Sequence, residues 1–393
     1  MNSRFLNLFK RSRIPISWLL LVRYRNKFIT ALAGIIFATV LIHSQLALRA
    51  ALFDSSVRIF KDLNADIVIV NRLNVASTLF HSFDRARLYQ LRRYREVSYV
   101  TPLRYGFSRW RYPGFREGRL VIVIGFDPRL NVFHQQDIQS QQQLLNIDGN
   151  ILYDQLSREE FGPIKKNFFD KDKVTLSINK KPAKVVGLVK MGTSFSYDAS
   201  FLTSLSSYQI FSNSNSRNIE IGLIKLQSGV DPDVFLDSIR SDVSNDLKAY
   251  TLDQFIRFEQ DYWDEAKPIG FVFGFNSVLG FVVGMLILYQ ILYTDVSHHL
   301  SEFSTLLSLA FTYNQIKLIV FYESMYLAVI GYPIGLTVSS FLFVLISSAT
   351  GLPVSLTFGR SLGCFFVILF MSSMSALIAI KKLDEANPVE VFE

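Results

Sequence analysis

"YQILYTDVSHHLSEFSTLLSLAFTYNQIK", residues 289–317, decides the fold, because it separates two stretches apolar enough to cross a bilayer. Upstream, Pro268 to Thr294 holds no charged side chain; downstream, Leu318 to Gly359 holds only Glu323, and Ser361 to Ile380 holds none. Phe28 to Leu48 is a further uncharged run. A hydrocarbon core of about 30 Å is crossed by about 20 apolar residues in a helix. The pattern therefore predicts four transmembrane helices, at 28–48, 268–293, 318–346 and 361–380. A polar connection, 294–317, joins the second to the third, and a short loop, 347–360, joins the third to the fourth.

The 393-residue chain is 50% hydrophobic and 19% charged, more apolar than a soluble chain of this size. Its net charge of +8 is placed unevenly: residues 1–27 carry seven basic side chains (Arg4, Lys10, Arg11, Arg13, Arg23, Arg25, Lys27) and no acid. Residues 49–267 carry 30 basic and 26 acidic side chains. A basic segment ending where a span begins follows the positive-inside pattern, which places the N-terminus in the cytoplasm and argues against a nucleic-acid arm. The even number of spans returns the tail 381–393 to the same side, and Lys381 and Lys382 agree with that orientation. The first apolar run is longer than the core of a signal peptide and no small-x-small site follows it, so it reads as an uncleaved anchor. Cys364 is the single cysteine, which excludes an intramolecular disulfide.

Residues 49–267 read as one large α+β domain outside the cytoplasm, between the first and second spans. "RAALFDSSVRIFKDLN" continues the first span as a helix, and "ADIVIV" follows as a strand. "RLVIVIGFDP", "IEIGLIKLQSG" and the two halves of "KVTLSINKKPAKVVGLVKMG", around a turn at Asn179 to Pro182, read as strands. Asp231 and Pro232 are a cap and first helical residue. "RRYREVSYVTPLRYGFSRWRYPGFREGR" is basic with interleaved aromatics and reads as a solvated strand, and "HQQDIQSQQQLLN" as a surface helix or loop. Ahead of the first span, "IPISWLLLVRYRNK" suits an interfacial helix on the cytoplasmic leaflet or a continuation of that span.

The motifs of catalysis are missing. The sequence holds no G-x-x-x-x-G-K-[ST], no H-E-x-x-H, no paired C-x-x-C and no G-x-S-x-G. The expectation is a non-catalytic chain without a metal or cofactor of its own. His298 and His299 point about 100° apart on a helix and make no ligand pair by themselves. Glu323 is the one intramembrane ionisable residue, a functional candidate by default, with snorkelling toward the cytoplasmic face as the plain alternative. Gly270-x-x-x-Gly274, Gly280-x-x-x-Gly284 and Gly331-x-x-x-Gly335 have the spacing that lets helices approach closely, and Pro333 is expected to kink the third span.

Within 294–317, Asp295 reads as the cap of a helix of about 16 residues, roughly 24 Å long. Val296, Leu300, Phe303, Leu307 and Ala310 form its apolar stripe; His298, Ser301, Glu302, Thr305 and Ser308 face largely elsewhere. Such a helix suits an amphipathic linker or a docking element for a cytoplasmic partner.

"GFVVGMLILYQILYTDVSHHLSEFSTLLSLAF" resembles the second-span-to-loop signature of DevC-type permeases, membrane subunits of cyanobacterial ABC exporters in the wider MacB/FtsX superfamily. "AGIIFATVLIHSQLALRAALFDSSVRIFKDLNADIVIV", "EFGPI", "KVVGLVKMGTSF", "FEQDYW" and "NPVEVF" extend the likeness over essentially the whole chain. His298-His299 departs from the acidic–basic pair more usual there, and "LLSLAF" from an ending usually written with Lys and Gly. The resemblance implies an inner-membrane permease with both termini cytoplasmic and a periplasmic domain. It implies two copies of this chain with two of a separate P-loop ATPase, which carries the ATP and Mg²⁺. It further implies a periplasmic adaptor (a membrane fusion protein) and an outer-membrane channel, through which a lipid or other amphipathic substrate is expelled. Asp295, His298, His299, Glu302 and Thr305 would then be the contact with the ATPase. An FtsX-like signal transmitter, which switches on a periplasmic enzyme and transports nothing, shares these spans and stays open.

Overall fold

The computed structural model describes residues 16–23, 25–114, 118–171, 174–266, 269–309 and 311–385. The four N-terminal basic residues Arg4 to Arg13, Ala310 and "NPVEVF" lie outside the described residues. In chain order the elements are α1 (Ile16–Arg23), α2 (Arg25–Lys61), β1 (Ile67–Asn71), β2 (Phe83–Asp84), α3 (Arg85–Gln90), β3 (Val97–Arg111), β4 (Arg119–Phe126) and α4 (Gln136–Gln139). There follow β5 (Asn150–Asp154), α5 (Ile164–Lys171), β6 (Val174–Ile178), β7 (Lys181–Val189), β8 (Ser200–Ser204), α6 (Leu205–Ser212), β9 (Asn218–Ile219), β10 (Ile221–Leu226), α7 (Pro232–Ile239) and β11 (Leu247–Thr251). The last are α8 (Leu252–Asp261), α9 (Ile269–His298), α10 (Leu300–Ser308), α11 (Tyr313–Thr350) and α12 (Phe358–Glu385). The chain forms two compact units: residues 1–49, 271–346 and 354–393 make one, and residues 50–270 and 347–353 the other.

The first unit is a helical bundle. Among the described residues four helices, α2, α9, α11 and α12, are long and apolar enough to cross a membrane. Ala31, Ile35, Ala38 and Ile42 of α2 pack with Leu288 and Leu292 of α9, Leu327 and Ala328 of α11, and Ile368 and Met371 of α12. Outward-facing Phe275, Phe341, Phe366 and Phe370 stay exposed, as suits faces that meet hydrocarbon. Small residues set the close approaches: a Cβ on Gly331 would lie 2.8 Å from Ile35, one on Gly335 2.7 Å from Thr39, and one on Gly284 2.6 Å from Ala38. Gly280 makes ordinary contact with Ile42, and Gly34, which no spacing motif marked, presses on Ile287.

Two of the predicted packing glycines do otherwise. Gly270 meets Asp264 of the preceding turn rather than another helix, and Gly274 has nothing within 4 Å among the described residues. Pro333 lies inside one continuous helix, α11 from Tyr313 to Thr350, with the Thr337 hydroxyl donating to the Pro333 carbonyl at 2.9 Å. Ahead of α2, the short α1 sets Trp18 edge-on to Tyr326, with ring centroids 5.9 Å apart.

The second unit is built on a nine-stranded sheet in the order β11-β1-β10-β3-β4-β8-β5-β7-β6. It is mixed rather than segregated, since β4–β8 and β5–β7 pair parallel while the other neighbours pair antiparallel. The 15-residue β3 is the hub: its first half pairs with β10 and its second half with β4. At its far end Trp110 and Arg111 also pair with Ile178 and Ser177 of β6, so six strands close on themselves as a barrel. Trp110, Val121, Val123, Ile151, Tyr153 and Phe201 share one core on this side of the sheet.

Turn chemistry accounts for the local joints. Asn179 and Lys180 both take positive φ (47° and 67°), as a two-residue hairpin turn requires. Asp231 caps α7, accepting from the N–H groups of Asp233 and Val234, with Pro232 behind it. One expectation needs correction. The basic, aromatic stretch is no solvated strand: Leu103, Tyr105 and Trp110 are buried, and buried Arg104 forms two bonds to Glu220, Nε–Oε2 at 2.7 Å and Nη2–Oε1 at 3.2 Å. In the glutamine-rich tract, Ile138 and Leu145 enter the core and carry buried Gln142 with them, its amide bonded to Asn131 at 2.9 Å.

Candidate functional site

The polar connection between the second and third spans folds around a turn that its sequence does not announce. Helix α9 runs through Asp295 to His298, so Asp295 caps nothing and lies in its last turn. A continuing apolar seam explains this, because Leu292 and Val296 are both buried and keep the helix packed past the end of the uncharged run. The break comes at His299, whose backbone leaves helical geometry (φ −99°, ψ 10°) while its carbonyl still accepts from Phe303 N–H at 2.8 Å. Helix α10 that follows has nine residues, not about sixteen. Thr312 then starts α11, with the Gln315 side chain reaching back to its N–H at 2.8 Å.

Val296, Phe303, Ile316, Val320 and Ile380 form the small core of this site, with Leu300 and Leu307 packed against it. The predicted stripe is therefore seated inward as far as it is described. His298, Ser301 and Thr305 are exposed and Glu302 is half-buried. His299 belongs with the core instead: it is 2% exposed, its Nδ1 lies 2.8 Å from the Asp295 carbonyl and 3.5 Å from its carboxylate, and its Nε2 is 3.8 Å from Glu302. It braces the turn and offers no face to a partner. Two adjacent histidines thus have opposite surroundings, as their 100° separation on a helix allows.

Glu323 does not snorkel. It is 2% exposed, and its Oε1 has no hydrogen-bond partner among the described residues. It borders a cavity of about 30 Å³ that Lys27, Ile291, Asp295 and Leu327 also line. Lys27 Nζ lies 3.7 Å from the Asp295 carboxylate, so one cation and two carboxylates from three helices gather beside the turn. Nothing in this set has the geometry of a nucleophile and its base. Among the described residues no three His, Cys, Asp or Glu side chains are placed to hold a metal ion. The arrangement presents an exposed polar ridge over a small apolar core, and among the described residues it shows no constellation for bond chemistry.

The second unit carries an open cleft of about 1050 Å³ beside the β3–β6 seam, to which Phe107, Arg109, Leu120, Ser177 and Lys180 contribute. Sequence reasoning missed it because a pairing of residue 110 with residue 178 leaves no local signal.

Residues 274–388, the stretch that holds α10 and most of α9, α11 and α12, match the family described as FtsX-like permease C-terminal. No curated protein matches the sequence. Among solved structures, the chain is similar to the periplasmic region of MacB from Actinobacillus actinomycetemcomitans (12% identity, TM-score 0.34, covering 50% of this chain and 92% of that one). It is also similar to the extracellular domain of the noncanonic ABC-type transporter YknZ from Gram-positive bacteria (12% identity, TM-score 0.31, covering 48% and 100%). A domain of a permease protein from Porphyromonas gingivalis gives 16% identity and a TM-score of 0.31, covering 48% and 89%.

Proposed function

We propose that this chain is the permease subunit of an ABC-type exporter of the DevC kind, driven by a separate P-loop ATPase that binds ATP and Mg²⁺. The observation that carries the reading is α10, a nine-residue helix between two spans, inside the FtsX-like stretch, with its apolar side seated and its Ser301 and Thr305, like His298 at the end of α9, exposed to meet a partner. Closure of the ATPases pushes on that exposed ridge, and the spans pass the movement to the 50–270 unit. The resemblance supports the remaining parts: a second copy of the chain, inner-membrane placement with cytoplasmic termini, a periplasmic adaptor, an outer-membrane channel, and a lipid or other amphipathic cargo.

The test uses Thr305→Cys in a Cys364→Ser background, cross-linked in native membranes and read by mass spectrometry. Capture of a P-loop ATPase is the expected result. Reproducible failure to capture one, with the new thiol shown to be labelled from the cytoplasmic side, would overturn the docking role. Probes on the 50–270 unit separate the FtsX-like alternative: an adaptor at that surface supports export, and a cell-wall hydrolase supports signalling.

A further inference from the structure

Between β7 and β8 the chain reads "MGTSFSY", residues 191–197, and this loop touches more distant parts of the second unit than its length suggests. Gly192 has a φ of +87°, and a Cβ there would collide with Nη1 of Arg58, so the guanidinium lies against bare backbone. Arg58 belongs to the part of α2 that follows the first span in sequence, and so does Ser55, one turn earlier, whose hydroxyl accepts from the Phe195 N–H at 3.4 Å. The Phe195 ring meets Trp263 edge-on with centroids 4.5 Å apart, in the π-helical turn Tyr262–Ala266 that precedes the second span. Thr193 donates to the Gly351 carbonyl at 3.4 Å, in the segment between the third and fourth spans. That segment is itself closed by Gly351 N–H to Ser347 O and Ser347 Oγ to Leu352 O, both 2.9 Å, and Gly351 takes a φ of +72° against the Thr193 hydroxyl.

The other side of the loop is anchored in the barrel. Asp154, at the end of β5, is fully buried. Its Oδ1 accepts from the N–H groups of Leu156 and Met191, both at 3.0 Å, and its Oδ2 from Gly192 N–H at 2.8 Å and Ser200 Oγ at 3.3 Å. Four donors on one carboxylate are a strong, directional grip, since bonds to an ionised acceptor are the stronger class and each orphaned buried N–H carries its own penalty. Ser194 and Tyr197 exchange backbone bonds across the tip, and the Tyr197 ring is sunk in the core.

We propose that residues 191–197 are the positioning joint of the outer unit: through Asp154 they fix to the barrel, at one point, the three stretches of chain that lead to and from the membrane spans. A shift of any one of these stretches is then felt by β5, β7 and β8 and by the other two. The inference rests on reading the four apolar helices as spans, and it deepens the proposed transmission of movement without needing the ATPase to be identified.

Spatial convergence alone does not establish coupling, so the test must read coupling directly. Hydrogen exchange of the full-length chain in lipid nanodiscs, followed by peptide mass spectrometry, compares the native sequence with Asp154→Asn. The expected result is exchange faster by about tenfold in 191–197 and, together with it, in 55–62, 262–266 and 347–353. Faster exchange confined to 191–200 would overturn the proposal. If Asp154→Asn does not fold, the single cuts Phe195→Ala and Thr193→Val decide. Under the proposal each loosens the two stretches it does not touch as well as its own, whereas independent contacts loosen only their own. Failure of Thr305→Cys to capture an ATPase leaves this readout intact, so the two ideas fall separately.

Discussion

Buried carboxylates are treated differently in the two units. In the 50–270 unit Asp154 receives four donors, three of them backbone N–H groups, and half-buried Glu220 is forked by Arg104. In the bundle Glu323 is equally buried, but one of its oxygens has no partner among the described residues. The difference follows from backbone supply. A loop or strand end has N–H groups to spare, whereas a spanning helix spends all of its own internally and leaves a buried polar group only side chains to meet. An acidic residue can thus organise a sheet domain cheaply, while in a bundle it persists at a cost that some other property must offset.

The strongest way to break this comparison is to remove Glu220 and leave Arg104 stranded. Glu220→Ala is expected to destabilise the 50–270 unit by about 3–5 kcal/mol, because an uncompensated buried charge remains. Trp110, in the barrel core, supplies the fluorescence signal for denaturant unfolding of the full chain. Adding Arg104→Met should recover most of the loss. If the double variant is no better than the single, the cost lies in Glu220's other bond, to the Tyr105 N–H at 3.3 Å, and not in the charge.

A middle-sized effect is expected at Glu259, a carboxylate with an intermediate supply of donors. One oxygen accepts from Ser77 N–H at 3.0 Å and the other has no partner among the described residues. Burial pushes its carboxyl up from 4.5 to about 7. Between those two values the folded state holds the proton and the unfolded chain has released it, so stability falls as pH rises from about 4.5 to about 7. The slope sums to about 3 kcal/mol at most. Asp154 contributes with the same sign over a lower window, since burial raises it from 3.8 to about 6 against the pull of its donors. Glu259→Gln should flatten the profile near pH 7 and raise stability above it; an unchanged pH profile would mean that Glu259 is solvated as the domain breathes.

Much of this was legible in the sequence, and the misses share a cause. The spans, the long extension after the first, the Asn179 turn and the Asp231 cap each have local signatures, so residue order alone carried them. The Asp295 cap failed because a helix ends where packing ends. The burial of Val296 beyond the uncharged run was set by Ile316 and Ile380, far away in sequence. Arg104 read as a solvated charge because its partner lies 116 positions on. For the candidate site, the exposed positions His298, Ser301 and Thr305 followed from periodicity, whereas the inward turn of His299 depended on Asp295 and Glu302 closing around it.

The smallest expected effect sharpens the comparison most, because its sign is in question rather than its size. Glu323→Leu removes a buried oxygen that has no partner among the described residues and leaves the Lys27–Asp295 pair, 3.7 Å apart, in place. Replacing a buried ionisable group by an apolar side chain of similar volume is often neutral or stabilising. Thermal unfolding in detergent should therefore show the bundle more stable, by about 1 kcal/mol. Such a gain means that Glu323 is kept for something other than stability, and its neighbours Lys27 and Asp295, beside the turn at His299, make the movement of α10 the place to look. A loss of similar size means the opposite: Glu323 ties three helices together as a structural clasp, and the bundle has found for its carboxylate the partner that the 50–270 unit draws from backbone.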